Sequence, residues 1–258
     1  MQVPDDKQKI LIRALQDVSV YPHEADGLQV IETHISWVIL CGVYAYKIKK
    51  VLDLGFLDFS TLDKRRYFCE EELRLNGRLA PQLYLAVVPI TGTPEHPQLG
   101  GAGEAFEYAV KMSRFSQEAL LSQLLEQNLL TDTHISQIIA QVANFHRAIP
   151  SATDATRYGD PQHVCAPAHE NFVQLRERLR TPVHLELLEQ VQAWTDHEYQ
   201  ARYPVLLERK ELGFVRECHG DMHLGNMAVI DERVVIFDGI EFNPDLYWID
   251  VMSEVAFL

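Results

Sequence analysis

The 258-residue sequence predicts an α+β protein, in which a small antiparallel sheet with one helix precedes a mainly helical half that ends in a hairpin. Three observations carry that reading. β-Branched and aromatic runs crowd residues 28–52. Apolar residues recur at helical spacing through most of 116–208. Short strand-like runs return at 214–218, 226–230 and 234–237.

Residues 5–18 carry Ile10, Leu11, Ala14, Leu15 and Val18 at helical spacing, which predicts a first helix. LQVIETHI, SWVILC and VYAYKIKKVL then predict three strands, with Gly42 as the turn between the last two. Ser60 and Asp63 form an S-x-x-D capping box for a helix running to about Leu79, before Pro81. LYLAVVPI (83–90) and FEYAVKM (106–112) predict two more strands, joined by a Gly- and Pro-rich exposed hairpin loop. Segments 116–130 and 133–149 are amphipathic helices, 150–167 is a loop, and helices follow near 168–180 and 183–208. The final DLYWIDVMSEVAFL reads as an amphipathic helix that stops at Leu258 without a cap, which implies a fragment of a longer chain or a truncated reading frame.

Composition narrows the function. Hydrophobic residues at 47% support a sizeable core. A net charge of -14 argues against binding a nucleic-acid backbone and leaves room for a cationic small substrate. Cys41, Cys69, Cys165 and Cys218 form no C-x-x-C pair, so neither a disulfide framework nor a structural zinc site is expected. The charged N-terminus lacks the apolar core of a signal peptide, and no apolar run is long enough to span a membrane. A cytoplasmic protein with neither membrane nor nucleic-acid partners is the expectation.

The chemistry concentrates in CHGDMHLGNMAVIDERVVIFDGIEF, residues 218–242. NMAVI and VVIF are strands joined by the tight-turn sequence DER, so a hairpin brings Asn226 towards Asp238, while Asp221 lies five residues ahead of Asn226. That arrangement suits phosphoryl transfer: Asp221 accepts the proton of an acceptor hydroxyl, while Asn226 and Asp238 hold Mg2+ through oxygen. HGDMHLGN resembles the catalytic loop H-G-D-x-H-x-x-N of aminoglycoside phosphotransferases, a branch of the protein-kinase-like fold. ETHISWVIL, AYKIKK, GFLDFSTLDKRRYFCEEELRLN and FDGIEFNP resemble an uncharacterised bacterial family in which such a domain precedes a C-terminal P-loop ATP-binding domain. No Walker motif occurs in this sequence, so that partner domain is absent from it.

The resemblance implies a two-lobed protein-kinase-like fold, with an N-terminal lobe over 1–112 and a helical C-terminal lobe over 113–258. It implies ATP or GTP with Mg2+ as cofactors, and a small-molecule hydroxyl as acceptor. A strand lysine and a helix glutamate are then required. Ala45-Tyr46-Lys47 fits the strand pattern, so Lys47 is the phosphate-gripping lysine; Lys49, nearer the strand end, is expected to be solvated. Glu72 shares a helical stripe with Phe68, Leu75 and Leu79, where a carboxylate needs a cation, and so is the partner of Lys47. The adenine is expected near VKMSRF (110–115).

Supporting roles follow. His219 buttresses the catalytic loop, His223 shapes it, and Asp250 resembles an aspartate that braces it from the following helix. Glu241 either sits near the metal or solvates its loop, and His146 reads as a hydrogen-bonded core histidine. No G-x-G-x-x-G covers the first hairpin, H-G-D replaces H-R-D, and DGIEF replaces D-F-G. Two other functions are compatible with parts of the pattern. One is a nucleotide-binding pseudokinase regulating the P-loop domain; the other is a metallohydrolase using His219, Asp221 and His223.

Overall fold

The computed structural model describes residues 6–258, so the expected helix start at Asp5 lies outside the described residues. The elements run α1 (Asp6–Ala14), β1 (Gln29–Glu32), β2 (Ser36–Cys41), β3 (Tyr44–Lys49), α2 (Leu62–Asn76), β4 (Tyr84–Thr93), β5 (His96–Leu99) and β6 (Glu107–Ser113). They continue with α3 (Leu121–Glu126), α4 (Asp132–Ala148), α5 (Pro161–Arg178), α6 (Pro182–Glu211), β7 (Val215–Glu217), β8 (Met227–Ile230) and β9 (Arg233–Ile236). α7 (Pro244–Tyr247), β10 (Trp248–Asp250) and α8 (Val251–Val255) complete the order. The fold class is α+β.

Two compact units emerge. The first holds the chain up to Phe145 together with Asp221–Pro244 and Leu258; the second holds His146–Gly220 and Asp245–Phe257. These bounds differ from a division after residue 112. The β8–β9 hairpin belongs with the sheet because Ala228, Val235 and Phe237 share a core with Leu40, Ala45, Val110 and Met112.

In the first unit six antiparallel strands lie in the order β1-β2-β3-β6-β4-β5. Strand alternation assigns β3 two faces. Tyr46 and Ile48 pack with Leu11 and Ile12 of α1 and with Leu15 just after it, whereas Ala45 packs with Cys69 and Leu73 of α2. Lys47 and Lys49 share the parity of Ala45 and therefore face α2. Full burial of a leucine contributes about 1.5–3 kcal/mol, so Leu11 and Leu15, each 1% exposed, anchor α1 firmly on the opposite face.

Several boundaries depart from the sequence pattern for local reasons. Thr61, not Ser60, caps α2 by accepting from Lys64 N, because the Ser60 hydroxyl and amide are both committed to Asp58. The loop after residue 90 contains β5, which extends the β4 hairpin with the register Thr93↔His96; its Pro97 suits an edge strand. Leu120 bridges to Ala228 with extended dihedrals, so the expected 116–130 helix splits into a 3-10 turn and α3.

The second unit shows two more departures. α5 begins at Pro161, inside the expected loop, with proline in the favoured first turn, and continues through Pro167. The C-terminal segment is not one helix: Trp248–Asp250 forms β10, which pairs antiparallel with β7. Lys210 fastens the end of α6 to Thr156 O and Asp160, at 2.6 and 2.5 Å.

The four cysteines are buried thiols outside any disulfide. Among the described residues no helix is long and apolar enough to cross a membrane.

Gly42 makes the expected β2–β3 turn with φ +58°, and a Cβ there would lie 2.2 Å from Glu24 O. Gly42→Ala is therefore expected to cost more than about 1 kcal/mol, read as a lower urea midpoint with an unchanged slope.

Candidate active site

Lys47 and Lys49 enter the first unit's interior side by side from β3, and Glu72 meets both from α2. Lys47 Nζ lies 2.8 Å from Glu72 Oε1, and Lys49 Nζ lies 2.6 Å from Glu72 Oε2. Lys47 also reaches Asp238 Oδ1 at 2.7 Å, while Lys49 bonds Glu241. Glu72 is fully buried, so the stripe argument that paired it with Lys47 holds. The solvated role expected of Lys49 does not: its side chain is 1% exposed, because β3 carries it under α2 before the strand ends.

This network sets the local electrostatics. Burial alone pushes the Glu72 carboxyl up, but Lys47 and Lys49 together bring it below its ordinary value. Burial likewise opposes charge on Lys47, yet Asp238 and Glu72 raise its pKa well above normal, so the ammonium is permanently charged. Glu241 is held above the ordinary range by burial, which Lys49 only partly offsets. Two lysines face three carboxylates, which leaves one negative charge to be balanced. Asp238 is the outermost of the three, with 46% of its side chain exposed. Hard oxygen donors with surplus negative charge fit a cation such as Mg2+.

Asp238 adopts the left-handed region, φ +61°, which for a non-glycine residue costs of order 1 kcal/mol and needs support. The support comes from three directions. Asp238 N donates to the Tyr84 hydroxyl at 3.1 Å, and Lys47 holds the side chain. Asn76, one turn beyond Glu72 on α2, accepts from Gly239 N at 2.7 Å and donates to Gly239 O at 3.4 Å.

The β8–β9 hairpin then brings up Asn226. Phe237 N donates to Asn226 O at 2.9 Å, which places Asn226 beside the residue that precedes Asp238. Its amide Nδ2 donates to Asp221 O and Asp221 Oδ2, both at 3.0 Å, so the carbonyl oxygen is the atom left for a cation. Asp221 is 38% exposed at its side chain. His223 Nδ1 accepts from Gly225 N at 3.0 Å, and its Nε2 lies 3.5 Å from Asp221 Oδ2.

A cavity of about 570 Å³ within the first unit joins these groups. Ile31, Val38, Leu40 and Met112 line its apolar part; Lys47, Asp221, Asp238 and Glu241 line its charged part. Ser113, Arg114 and Phe115 of the expected adenine connector border it as well.

In the second unit the loop leading to Asp221 is braced by Glu254 rather than by Asp250. Glu254 Oε1 accepts from His219 N at 2.5 Å and Gly220 N at 2.9 Å, while Oε2 meets His146 Nε2 at 2.5 Å. Burial pushes the Glu254 carboxyl up, but His146 and the Gly220 amide bring it below the ordinary value. Asp250 instead grips Arg209 at 2.5 and 2.8 Å and caps α8. That follows from β10, which turns Asp250 towards the end of α6. His219 is buried. Among the described residues, the His, Cys and acidic ligand atoms that converge within 4.8 Å are those of His146, Cys218 and Glu254, not the set expected of a metallohydrolase.

Lys49, Asn76, Tyr84 and Glu254 were not singled out by sequence for this site. Lys49 had the same strand parity as Lys47, which was the available signal. Asn76 follows Glu72 by one helical turn. Tyr84 and Glu254 sat in apolar runs with nothing local to mark them.

Lys49→Met is expected to leave Glu72 and Glu241 facing each other underpaired, at a cost of about 3–5 kcal/mol in denaturant unfolding. Because the Glu254 pKa is lower folded than unfolded, its contribution is complete above the unfolded value and is lost as pH falls through the folded one. Wild-type stability should therefore fall more steeply than that of Glu254→Gln from about pH 5 downward, measured by unfolding across a pH series.

No family model matches the chain. It is similar to uncharacterised proteins of Mycobacterium bovis (AF2122/97) and of Mycobacterium tuberculosis, strains CDC 1551 and H37Rv. Each is 27% identical over 231 residues, which cover 90% of this chain and 45% of the relative. The chain thus spans about half the length of the relatives it matches.

Proposed function

We propose that the chain is a phosphotransferase of two-lobed, protein-kinase-like fold, akin to aminoglycoside phosphotransferases, that moves the γ-phosphate of ATP or GTP to a hydroxyl of a small molecule. One observation carries the reading. Asp221, held by Asn226, and Asp238 meet a glutamate-held lysine in the wall of a cavity that is otherwise lined largely by apolar side chains. An apolar slot suits a flat base, and a charged end suits its phosphates. A P-loop ATP-binding domain elsewhere in a longer chain is part of the same reading.

Each residue has a physical task. Lys47 presents a permanent positive charge to phosphate oxygens, and Glu72 fixes where that charge sits. Asn226 and Asp238 would hold Mg2+, which when bound neutralises charge on the phosphates. Asp221, steered by the Asn226 amide, orients the acceptor hydroxyl and takes its proton as oxygen attacks the γ-phosphorus. The bond from that phosphorus to the diphosphate breaks in line. Positioning and charge neutralisation supply most of the acceleration.

The test is calorimetry with ATP and GTP, with and without magnesium, followed by transfer assays on hydroxyl-bearing acceptors. Asp221→Ala should lower turnover by about 10²–10⁴-fold while nucleotide affinity is kept. Asp238→Ala should weaken magnesium-dependent binding by at least about tenfold. Equal loss of nucleotide binding in both variants would argue against these separate roles, and absence of binding by the folded wild type would sink the reading.

A further inference from the structure

The first hairpin lacks a glycine-rich sequence, and its β1–β2 turn is built differently. Thr33 and Ser36 close it with three hydrogen bonds: Thr33 N to Ser36 O at 2.9 Å, Thr33 Oγ1 to Ser36 O at 3.0 Å, and Ser36 N to Thr33 Oγ1 at 2.9 Å. Lys50 ties it down from β3's end, donating its amide to Ile35 O at 2.9 Å and its ammonium to Thr33 O at 2.5 Å. The same ammonium pairs with Glu32 at 2.7 Å and lies over the Trp37 ring. A turn held at this many points is fixed in shape. Among the described residues, the amides of His34 and Ile35 at its tip donate to no backbone acceptor.

His34 lines the 570 Å³ cavity together with Lys47, Asp221 and Asp238. Three basic side chains border that cavity: Lys47, Arg114 and His34. Lys47 is committed to Glu72 and Asp238, and Arg114 donates to the carbonyls of Gly27 and Gly42 at 3.2 and 3.4 Å. His34 has neither a hydrogen bond nor an ion pair to any described residue, so both nitrogens of its imidazole are open to a ligand. A polyanion in this cavity would otherwise face the carboxylates of Asp238 and Glu241 with two protein cations, Lys47, already shared with Glu72 and Asp238, and Arg114, held to two carbonyls.

We infer that His34 is a phosphate ligand, donating a ring N–H to the polyphosphate of the bound nucleotide from a rigid turn that replaces a glycine-rich loop. This rests on the nucleotide reading above. The role belongs to the side chain, since the Thr33–Ser36 closure fixes the turn without it. A charge-assisted bond of this kind discriminates by phosphate content and not by base.

The experiment measures MgATP, MgADP and adenosine binding by calorimetry for wild type, His34→Ala and His34→Lys, with thermal midpoints alongside. His34→Ala should bind MgATP about tenfold more weakly, with adenosine affinity and thermal midpoint unchanged. His34→Lys should recover most of the MgATP affinity. Undiminished MgATP binding by His34→Ala, in a wild type that binds MgATP, overturns the His34 role and leaves the nucleotide reading standing. Equal losses for adenosine and MgATP overturn it too, by showing that the residue only shapes the cavity. A folded wild type that binds none of the three overturns both.

Discussion

Everything at the candidate site depends on a carboxylate that cannot stand alone. Glu72 is out of contact with water, and a lone buried charge costs several kcal/mol. It is tolerable because β3 delivers two ammonium groups, one to each carboxylate oxygen. The two lysines then reach beyond it in different directions, Lys47 to Asp238 and Lys49 to Glu241. One helix residue thereby sets the position of a strand and of the loop after β9. The arrangement adds little net stability over an apolar core, but removing any one member strands the others, so the geometry is enforced by what its loss would cost.

The loop after β9 shows what this enforcement secures. A left-handed aspartate is an unfavourable local choice, and the turn sequence Phe237-Asp238-Gly239 would place the easier left-handed residue one position later. The Tyr84 hydroxyl, the Asn76 amide and the Lys47 ammonium hold it in place. Strain kept by three independent supports from α2, β3 and β4 marks a residue whose direction matters. These supports stand on helix and strand, which hold position more tightly than loops do.

The second unit shows the same logic with a different carboxylate. Glu254 is buried because two successive backbone amides and His146 satisfy it, so the peptide that leads into Asp221 is fixed through its backbone. Asp250, four residues earlier, is spent on Arg209 and on capping α8. The bracing contact that sequence suggested for Asp250 is made by Glu254, because β10 interrupts the C-terminal helix and changes which side chains point the same way.

Period and spacing were enough to determine the α+β class, the run of the central strands, the Gly42 turn and the grouping of Asp221, Asn226 and Asp238 across a short hairpin. Those features are local: strand alternation, helical stripes and a tight turn act over a few residues and leave their mark in adjacent letters. The Lys47–Glu72 pair was legible for a related reason, since a carboxylate on an apolar stripe announces an unmet need. The tertiary structure decided whatever required two distant segments to meet. Lys49 looked like a strand-end lysine until α2 and Glu241 closed over it. β5 and β10 are too short to declare themselves and exist because β4 and β7 offer open edges. Asn76, Tyr84 and Glu254 serve backbone groups far away in the chain, and a hydrogen bond across such a separation has no periodicity by which a sequence could reveal it.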